Sequence, residues 1–307
     1  LAVDTLRCVW VQHYYLVGEQ LHWRTDKHFH LPPAGVTIAS PYDEVRYSNK
    51  RGLTWHGYKV HLTETCDDET PHLITQVETT PVDLLDNQAV PRIHAKLAQK
   101  ELLPSQHVID CGYMDGELLV ESQRDYGVEL LGPVRPDNSW QAREERGFDV
   151  AQFTIDWQKQ VATCPNGTTS YKAKAGKDAG GRDIFRFIFR EQDCQACPLR
   201  EKCTHGQARF LTILPEQQHT ALQAARQRQE TEAFRQQYTV RAGIEGTISQ
   251  AVYALHMRRT RYRGLAKTHL QHVATAAAVN VMRVVNWLTD VPLATTRQSR
   301  FAMLALG

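Results

Sequence analysis

The sequence predicts an α/β fold, and the order of its apolar segments is the main reason. Two β-branched runs at 58–65 and 72–79 flank an acidic turn, and this arrangement predicts an antiparallel hairpin. The segments that follow predict alternating helices and strands, at 83–99 (helix), 107–110 (strand), 115–125 (helix) and 128–132 (strand). Alternation of this kind is typical of α/β domains.

Changes in composition divide the chain further. Pro32 and Pro33 end the first segment, a short strand is expected at 36–43, and glycine, lysine and cysteine become frequent after Arg135. From Pro215 onward the sequence favours helices, the first of them running toward Glu245. We therefore predict five parts: the end of a preceding N-terminal module (1–39), the first part of a core (40–137), a β-rich insertion containing cysteines (138–212), a helical second part of the core (213–289) and a tail (290–307).

Charge is unevenly distributed along the chain. The 307 residues carry a formal net charge of +2, but no acidic residue lies between Gly246 and Leu288. The basic residues of that segment are Arg258, Arg259, Arg261, Arg263, Lys267 and Arg283. Such a segment suits a polyanionic partner, and the alternative is a basic surface that only faces solvent.

The chain shows no sign of a membrane or secretory address. No stretch reaches the 18 or so apolar residues that a membrane span requires, and the start of the sequence lacks the features of a signal peptide. We expect a soluble, cytoplasmic protein. Its seven cysteines are then expected to be reduced thiols or metal ligands.

Tyr238, Arg241 and Glu245 are spaced so that they would share one face of a helix. A carboxylate can hold a divalent metal, while a guanidinium and a phenol can bind phosphate oxygens. The trio therefore points to phosphodiester chemistry. The alternative is an arginine–glutamate pair on a solvated helix face.

A second carboxylate, Asp110, ends the predicted strand at 107–110, and strand ends are where open α/β sheets place their chemistry. Phosphoryl transfer by two metal ions uses carboxylates from separate elements that converge on cations about 4 Å apart. The alternative for Asp110 is a turn or capping role before Gly112.

These motifs resemble those of the DDE transposases of bacterial insertion sequences. The resemblance rests on the stretches at 57–61 (Gly-Tyr-Lys-Val-His), 109–113 (Ile-Asp-Cys-Gly-Tyr) and 238–245. It implies a ribonuclease H-like mixed sheet flanked by helices, interrupted by the insertion before the Glu-bearing helix. It also implies that Asp110 and Glu245 bind Mg2+ or Mn2+, that the partners are transposon-end and target DNA, and that the active complex is a homodimer.

The sequence departs from that family in two places. Val252 stands where the family often has a lysine, and Arg258 or Arg259 is the candidate to replace it. In the family the first Asp belongs on the first core strand, upstream of the Ser-Pro-Tyr-Asp stretch at 40–43, and because the chain opens on Leu1 we expect it to be an incomplete copy. Asp43 is the tentative substitute, with an Asx-turn role as the alternative. Without a first Asp, the alternative function is a catalytically dead, zinc-containing DNA-binding remnant; an unrelated metal-dependent nuclease is more distant.

The cysteines of the insertion form a candidate zinc site. Four of them lie within 40 residues, namely Cys164, Cys194, Cys197 and Cys203. Their Cys-x2-Cys core is typical of zinc sites, although the remaining spacing is not standard. His205 could replace one thiol, and the alternative is ordinary reduced cysteines.

The basic residues after Glu245 are expected to bind DNA. Arg258, Arg259, Arg261 and Arg263, with Lys267 after them, suit phosphate contacts beside an active site. In the next helix, Leu270, Val273, Ala277 and Val281 recur at helical spacing and predict a core-facing stripe. His269 and His272 are expected to be satisfied polar residues without a ligand role.

Overall fold

The computed structural model describes residues 2–24, 45–50, 52–67, 69–143 and 147–291. These residues form a mixed α/β structure with several small sheets. The chain divides into two compact units, one containing Leu1–Leu84 and Ala242–Gly307 and the other Leu85–Arg241. The strand candidate at 36–43 and the tail from 292 lie outside the described residues.

The helices and strands, in chain order, are α1 (Ala2–His13), β1 (Tyr14–Val17), β2 (Gln20–Trp23), β3 (Arg46–Lys50), β4 (Leu53–Glu64), β5 (Ile74–Pro81), α2 (Val90–Gln99), β6 (Gln106–Val108), α3 (Gly116–Tyr126), β7 (Glu129–Leu131), α4 (Trp140–Arg143), β8 (Thr154–Asp156), β9 (Val161–Thr163), β10 (Lys172–Lys177), β11 (Asp183–Ile188), α5 (Glu191–Gln195), α6 (Arg200–Cys203), β12 (Phe210–Ile213), α7 (Glu216–Gln229), α8 (Glu232–Tyr238), α9 (Ala242–Leu255) and α10 (Leu265–Leu288). Short 3-10 turns lie at Asp86–Ala89, Cys111–Tyr113, Val150–Gln152 and Thr239–Arg241.

The first unit is built on a three-stranded antiparallel sheet in the order β3, β4, β5. Its β4–β5 pair confirms the predicted hairpin, with Leu62 opposite Val77. Helix α10 packs on β5, and the Asn280 side chain both accepts from the Ile74 N–H (2.8 Å) and donates to its carbonyl (2.9 Å). A side-chain amide thus replaces a neighbouring strand at the end of β5, which leaves neither backbone group unsatisfied.

A buried ion pair ties three elements of this unit together. Arg283 on α10 donates from Nη1 to Glu64 Oε2 of β4 at 2.8 Å, and the two side chains are only 16% and 8% exposed. Arg283 also donates to the His72 carbonyl (2.6 Å) and to Thr247 Oγ1 of α9, and the Thr247 hydroxyl donates to Glu64. Arg283 is therefore not part of a basic surface, although in the sequence it lies in the same acid-free segment as the exposed arginines.

The buried face of α10 differs from the predicted stripe. Leu270 and Val281 are 67% and 63% exposed, and Val273 and Ala277 are exposed as well. The face that packs on the sheet instead carries Thr268, His272, Thr275, Ala276 and Val279. Polar residues can occupy it because β5 offers hydrogen-bond partners. The Thr79 hydroxyl meets His269 Nδ1 at 3.1 Å and His272 Nδ1 at 2.9 Å, which confirms their expected role.

In the second unit, β6, α3 and β7 form a parallel strand–helix–strand arrangement, as predicted. Asp115 caps α3 by accepting from the Leu118 N–H at 2.8 Å. Gly127 ends the helix with a φ of +67°, a conformation that glycine adopts without strain. Leu130 and Val90 are among the residues of the core beneath these elements.

Residues 147–213 contain five short strands in two small antiparallel sheets, together with the short helices α5 and α6. Strands β8 and β9 form one, and β10, β11 and β12 form the other. Phe187 is fully buried between them, with Phe153, Phe189 and Leu211 around it.

None of the helices within the described ranges has the length and apolar character needed to span a bilayer. The long helix predicted from about Pro215 to Glu245 is wrong as a single element, because α7, α8 and the 3-10 turn at Thr239–Arg241 precede α9.

We predict that Glu64→Gln or Arg283→Met lowers the free energy of unfolding by about 3–5 kcal/mol, because each leaves a buried group of the pair without its partner. Urea denaturation would measure this loss, and the double variant should lose less than the sum of the two. The exposed Arg124–Asp125 pair is the matched control, and Asp125→Asn should leave the free energy of unfolding nearly unchanged. Equal losses at the two pairs would contradict the assignment.

Candidate active site

Asp110 is held at the end of β6 by two interactions. Its Oδ1 accepts from the Cys111 N–H at 2.8 Å and thereby caps the 3-10 turn Cys111–Tyr113. Its Oδ2 lies 3.3 Å from Nη2 of Arg241. The carboxylate is 53% exposed, so it is fixed in direction but still accessible. The turn role, considered as the alternative for Asp110, is thus present, and it leaves the other oxygen to pair with Arg241.

The backbone around Asp110 is closely packed. The Ile109 N–H donates to the Leu131 carbonyl at 2.8 Å and continues the β6–β7 pairing past β6. Any Cβ at Gly132 would lie 2.2 Å from the Ile109 carbonyl oxygen, so only glycine fits opposite Ile109. This close approach sets where the chain leaves the strand and hence where Asp110 begins its turn.

A second carboxylate, Asp86, lies close to this turn and was missed by the sequence reasoning. A Cβ at Gly112 would meet Asp86 Oδ2 at 3.2 Å. Burial raises the pKa of the Tyr113 phenol well above its usual value, and the charges of Asp86 and Asp110 raise it further, while Arg241 lowers it. Tyr113 therefore stays protonated as a hydrogen-bond donor among two carboxylates and a guanidinium. Asp86 follows an unremarkable Leu-Leu pair, and no spacing rule singles it out.

Two histidines pack helix α2 against the strand that leads to Asp110. His94 Nε2 and His107 Nδ1 are 3.0 Å apart, so one ring must donate and the other accept. Burial lowers the pKa of each to about 4, and for His107 the neighbouring His94 adds to the effect. Since two imidazolium rings would have no acceptor between them, the contact requires an unprotonated nitrogen.

The predicted Tyr–Arg–Glu face is divided among three elements. Tyr238 ends α8 and stacks on the buried Phe234 ring (centroids 5.5 Å apart, planes at 8°), Arg241 ends the 3-10 turn, and Glu245 is in the first turn of α9. The Thr239 hydroxyl donates to the Gln236 carbonyl at 2.6 Å. This back-bonding competes with regular helical hydrogen bonds and accompanies the change of helix type.

Glu245 is exposed and lies in the first unit, whereas Asp110 and Arg241 lie in the second. Both carboxylates offer the oxygen donors that Mg2+ and Mn2+ prefer, so the donor chemistry fits such a cation. Over the described ranges, no group of three or more His, Cys, Asp or Glu side chains is arranged to hold a metal ion. Asp43 lies outside the described residues.

The basic loop, defined as residues 256–264 between α9 and α10, carries the predicted arginines. All four are exposed, and Lys267 is exposed in the first turn of α10; they are Arg258, Arg259, Arg261 and Arg263. The loop backbone is held by Gln271, which donates to the Arg259 carbonyl and accepts from the Arg261 N–H, both at 2.9 Å. The arginines therefore project from a fixed backbone.

The four cysteines of the insertion lie around one small cavity of about 30 Å3. They are Cys164, Cys194, Cys197 and Cys203, and none of them is in a disulfide. His205 is not part of that lining. Its ring stacks on Trp140, with centroids 4.1 Å apart, beside a neighbouring depression. The four thiols, and not His205, form the group.

One family model matches part of the chain. Residues 163–285 match the family model described as a transposase DDE domain. The match covers Arg241, Glu245 and the basic loop, confirms the resemblance seen in the sequence, and associates the chain with transposition and with the DDE class of enzymes acting on DNA. No curated protein and no solved structure shows significant similarity to the chain.

We predict that stability falls as the pH is lowered from about 6.5 to about 4. His94 and His107 have depressed pKa values in the folded chain, so the unfolded chain binds protons first and the stabilisation present above pH 6.5 is lost on acidification. Urea midpoints measured across this range should show a shallower fall in the double variant His94→Gln, His107→Gln than in the parent. The exposed His22→Gln is the control; if it flattened the profile as much, the pair would not be the cause.

Proposed function

We propose that the chain carries the catalytic function of an insertion-sequence DDE transposase, which cuts DNA at transposon ends and joins the resulting 3′-hydroxyl to target DNA. The observation that supports it most directly is the match of residues 163–285 to the transposase DDE domain. The predicted core parts, 40–137 and 213–289, would form a ribonuclease H-like mixed sheet with helices, interrupted by the insertion at 138–212.

Asp110 and Glu245 are the carboxylates we propose to bind Mg2+ or Mn2+, with Asp43 as the tentative third. When bound, such ions activate the attacking hydroxyl or water and stabilise the leaving oxygen. Asp110 is suited to this role because its Oδ1 is fixed by the Cys111 N–H. Its Oδ2 is paired with Arg241, and the Asp110 side chain is half-exposed. An exposed pair of this kind contributes about 1 kcal/mol or less, so a divalent cation can replace it.

Arg241 would then orient a phosphate oxygen. Its guanidinium is 22% exposed and already lies 3.3 Å from Asp110, so release from that carboxylate requires no large movement. Tyr238 has a different part in the proposal. Because its ring is stacked on Phe234, its position is fixed and its hydroxyl can orient a phosphate.

The basic loop would hold DNA through its phosphates. The proposal rests on four exposed arginines and Lys267 on a backbone fixed by Gln271, in a segment free of acidic residues. A prearranged loop loses little conformational entropy on binding, which favours affinity. Contacts to phosphate carry no base information, so this surface would position DNA without selecting its sequence. Two ends must be held together for transposition, and we propose a homodimer as the active complex.

The alternative is a catalytically inactive DNA-binding protein that keeps the basic loop and a zinc site. Parallel assays of DNA binding and cleavage distinguish the two, because DNA binding with no cleavage under any metal condition would favour the inactive protein. Cleavage without joining of ends would instead favour a plain nuclease.

We predict that Asp110→Asn and Glu245→Gln each reduce Mn2+- or Mg2+-dependent cleavage of DNA carrying the element's own ends by about 100-fold or more, since each removes a negative ligand oxygen. Binding of the same DNA should stay within about twofold, because neither residue belongs to the basic loop. Asp125→Asn, an exposed carboxylate on α3, is the control and should cleave normally. Retained cleavage in either site variant would overturn its assignment.

We predict that Arg258→Gln with Arg261→Gln weakens DNA binding at all sequences and lowers the magnitude of the salt dependence, the slope of log K against log salt, by about two. Fluorescence anisotropy over a range of salt concentrations measures both effects. Arg182→Gln removes an exposed arginine that is paired with Asp178 outside the loop, and should leave the slope unchanged. A slope that is the same in the loop variant and the parent would exclude the loop as the DNA surface.

A further inference from the structure

The cavity is lined by four cysteines that lie on or beside three different elements. Cys164 follows β9, Cys194 is in α5, Cys197 follows that helix and Cys203 ends α6, yet all four line the same space of about 30 Å3. That volume is of the order of a single water molecule or ion. Besides the four thiols, the lining includes the Phe189 ring and the charged side chains of Asp193, Arg200 and Arg209.

Two of these cysteines start tight turns. The Gly167 N–H donates to the Cys164 carbonyl at 2.8 Å, and Gly167 has a φ of +81°, which favours glycine. The Cys197 N–H similarly donates to the Cys194 carbonyl at 3.3 Å. In the second turn, the Cys-x2-Cys spacing directs two thiols toward the same side, which is how short Cys-x2-Cys segments bind a zinc ion.

A partly buried arginine beside the cavity forms no ion pair among the described residues. Arg209 lines the cavity, and its Nη1 donates to the Cys203 carbonyl at 3.1 Å. Its Nε is buried and, among the described residues, has no hydrogen-bond partner. Burial lowers the pKa of this guanidinium, and Asp137 and Asp149 act on it only through charge. A buried cation is costly unless a negative group compensates it.

We infer that Cys164, Cys194, Cys197 and Cys203 bind one structural Zn2+ ion as four thiolates. Four thiolates and Zn2+ carry a net charge of −2, which supplies the anion beside Arg209. Binding releases one proton from each thiol to solvent and needs no oxidant or reductant. Because protons compete with the metal for these four thiols, the affinity for zinc should increase with pH.

The thiols surround the cavity without yet forming a ligand set at zinc distances. Zinc binding therefore requires the thiols to turn inward by rotation about χ1, a change between staggered rotamers that leaves the turns carrying them in place. The ion would then link α5 and α6, helices of five and four residues that are too short to be stable alone, to the sheet through Cys164.

The test is zinc content by mass spectrometry of the full chain, purified with reductant and dialysed against a weak chelator. We expect one zinc per chain, and its loss in Cys194→Ser and in Cys203→Ser. Cys66→Ser changes an exposed cysteine of the other unit and is the matched control, which should keep its zinc. Replacement by Co2+ should give the intense visible absorption of a tetrahedral thiolate site in the parent and in Cys66→Ser only.

If the chain contains no metal and shows no Co2+ spectrum, the inference is overturned. The same holds if protein prepared without reductant forms a disulfide among the four cysteines and still fails to bind Co2+ after the disulfide is reduced. Zinc that is retained in both cluster variants would place the ion elsewhere. If the cluster variants fail to fold, Co2+ titration of unfolded and refolded parent protein still decides the matter, because a structural site gives the thiolate spectrum with one equivalent only when the chain folds.

Discussion

The buried ion pair between Glu64 and Arg283 is the interaction on which the first unit depends. It joins the end of β4 to α10, and through the Thr247 hydroxyl it also holds α9. Residues two apart on a helix point in nearly opposite directions. Because Thr247 must face the buried pair, Glu245 is directed away from it and remains exposed. A buried structural pair thus determines the direction of a carboxylate to which we assign a catalytic role.

In the second unit the same principle applies on a smaller scale. Asp110 caps a turn with one oxygen, and this structural use prepares the other oxygen for chemistry because it fixes the side-chain rotamer. The turn interpretation and the metal-ligand interpretation of Asp110 are therefore compatible. Arg241 pairs with the other oxygen, Oδ2. Burial and the nearby carboxylates keep Tyr113 protonated, so its hydroxyl supplies a donor. A carboxylate held in this way needs little rearrangement to accept a cation.

The sequence predicted local elements well and tertiary partners poorly. Hairpin β4–β5 and the β6–α3–β7 arrangement follow from periodicity and turn residues, which act over a few positions. The prediction of the buried face of α10 was wrong because β5 supplies a hydroxyl partner for the helix, so His272 is buried while Leu270 is exposed. Asp86 was missed because its approach to Gly112 joins residues with no local pattern in common. Both failures concern contacts between distant segments, which composition and spacing do not encode.

Arg283 shows why charge segregation alone cannot define a nucleic-acid surface. Six basic residues lie between Gly246 and Leu288, and the sequence treats them alike. Glu64, more than 200 residues earlier, removes Arg283 from that group by burying it in an ion pair. The side chains of the other five are exposed to solvent, and Gln271 fixes the loop that carries four of them. Since counterions gather around exposed charges and not around buried pairs, only these exposed residues can contribute counterion release when a polyanion binds. The useful measure of a DNA surface is therefore the number of exposed, unneutralised cations on a fixed backbone, and this number follows from the fold.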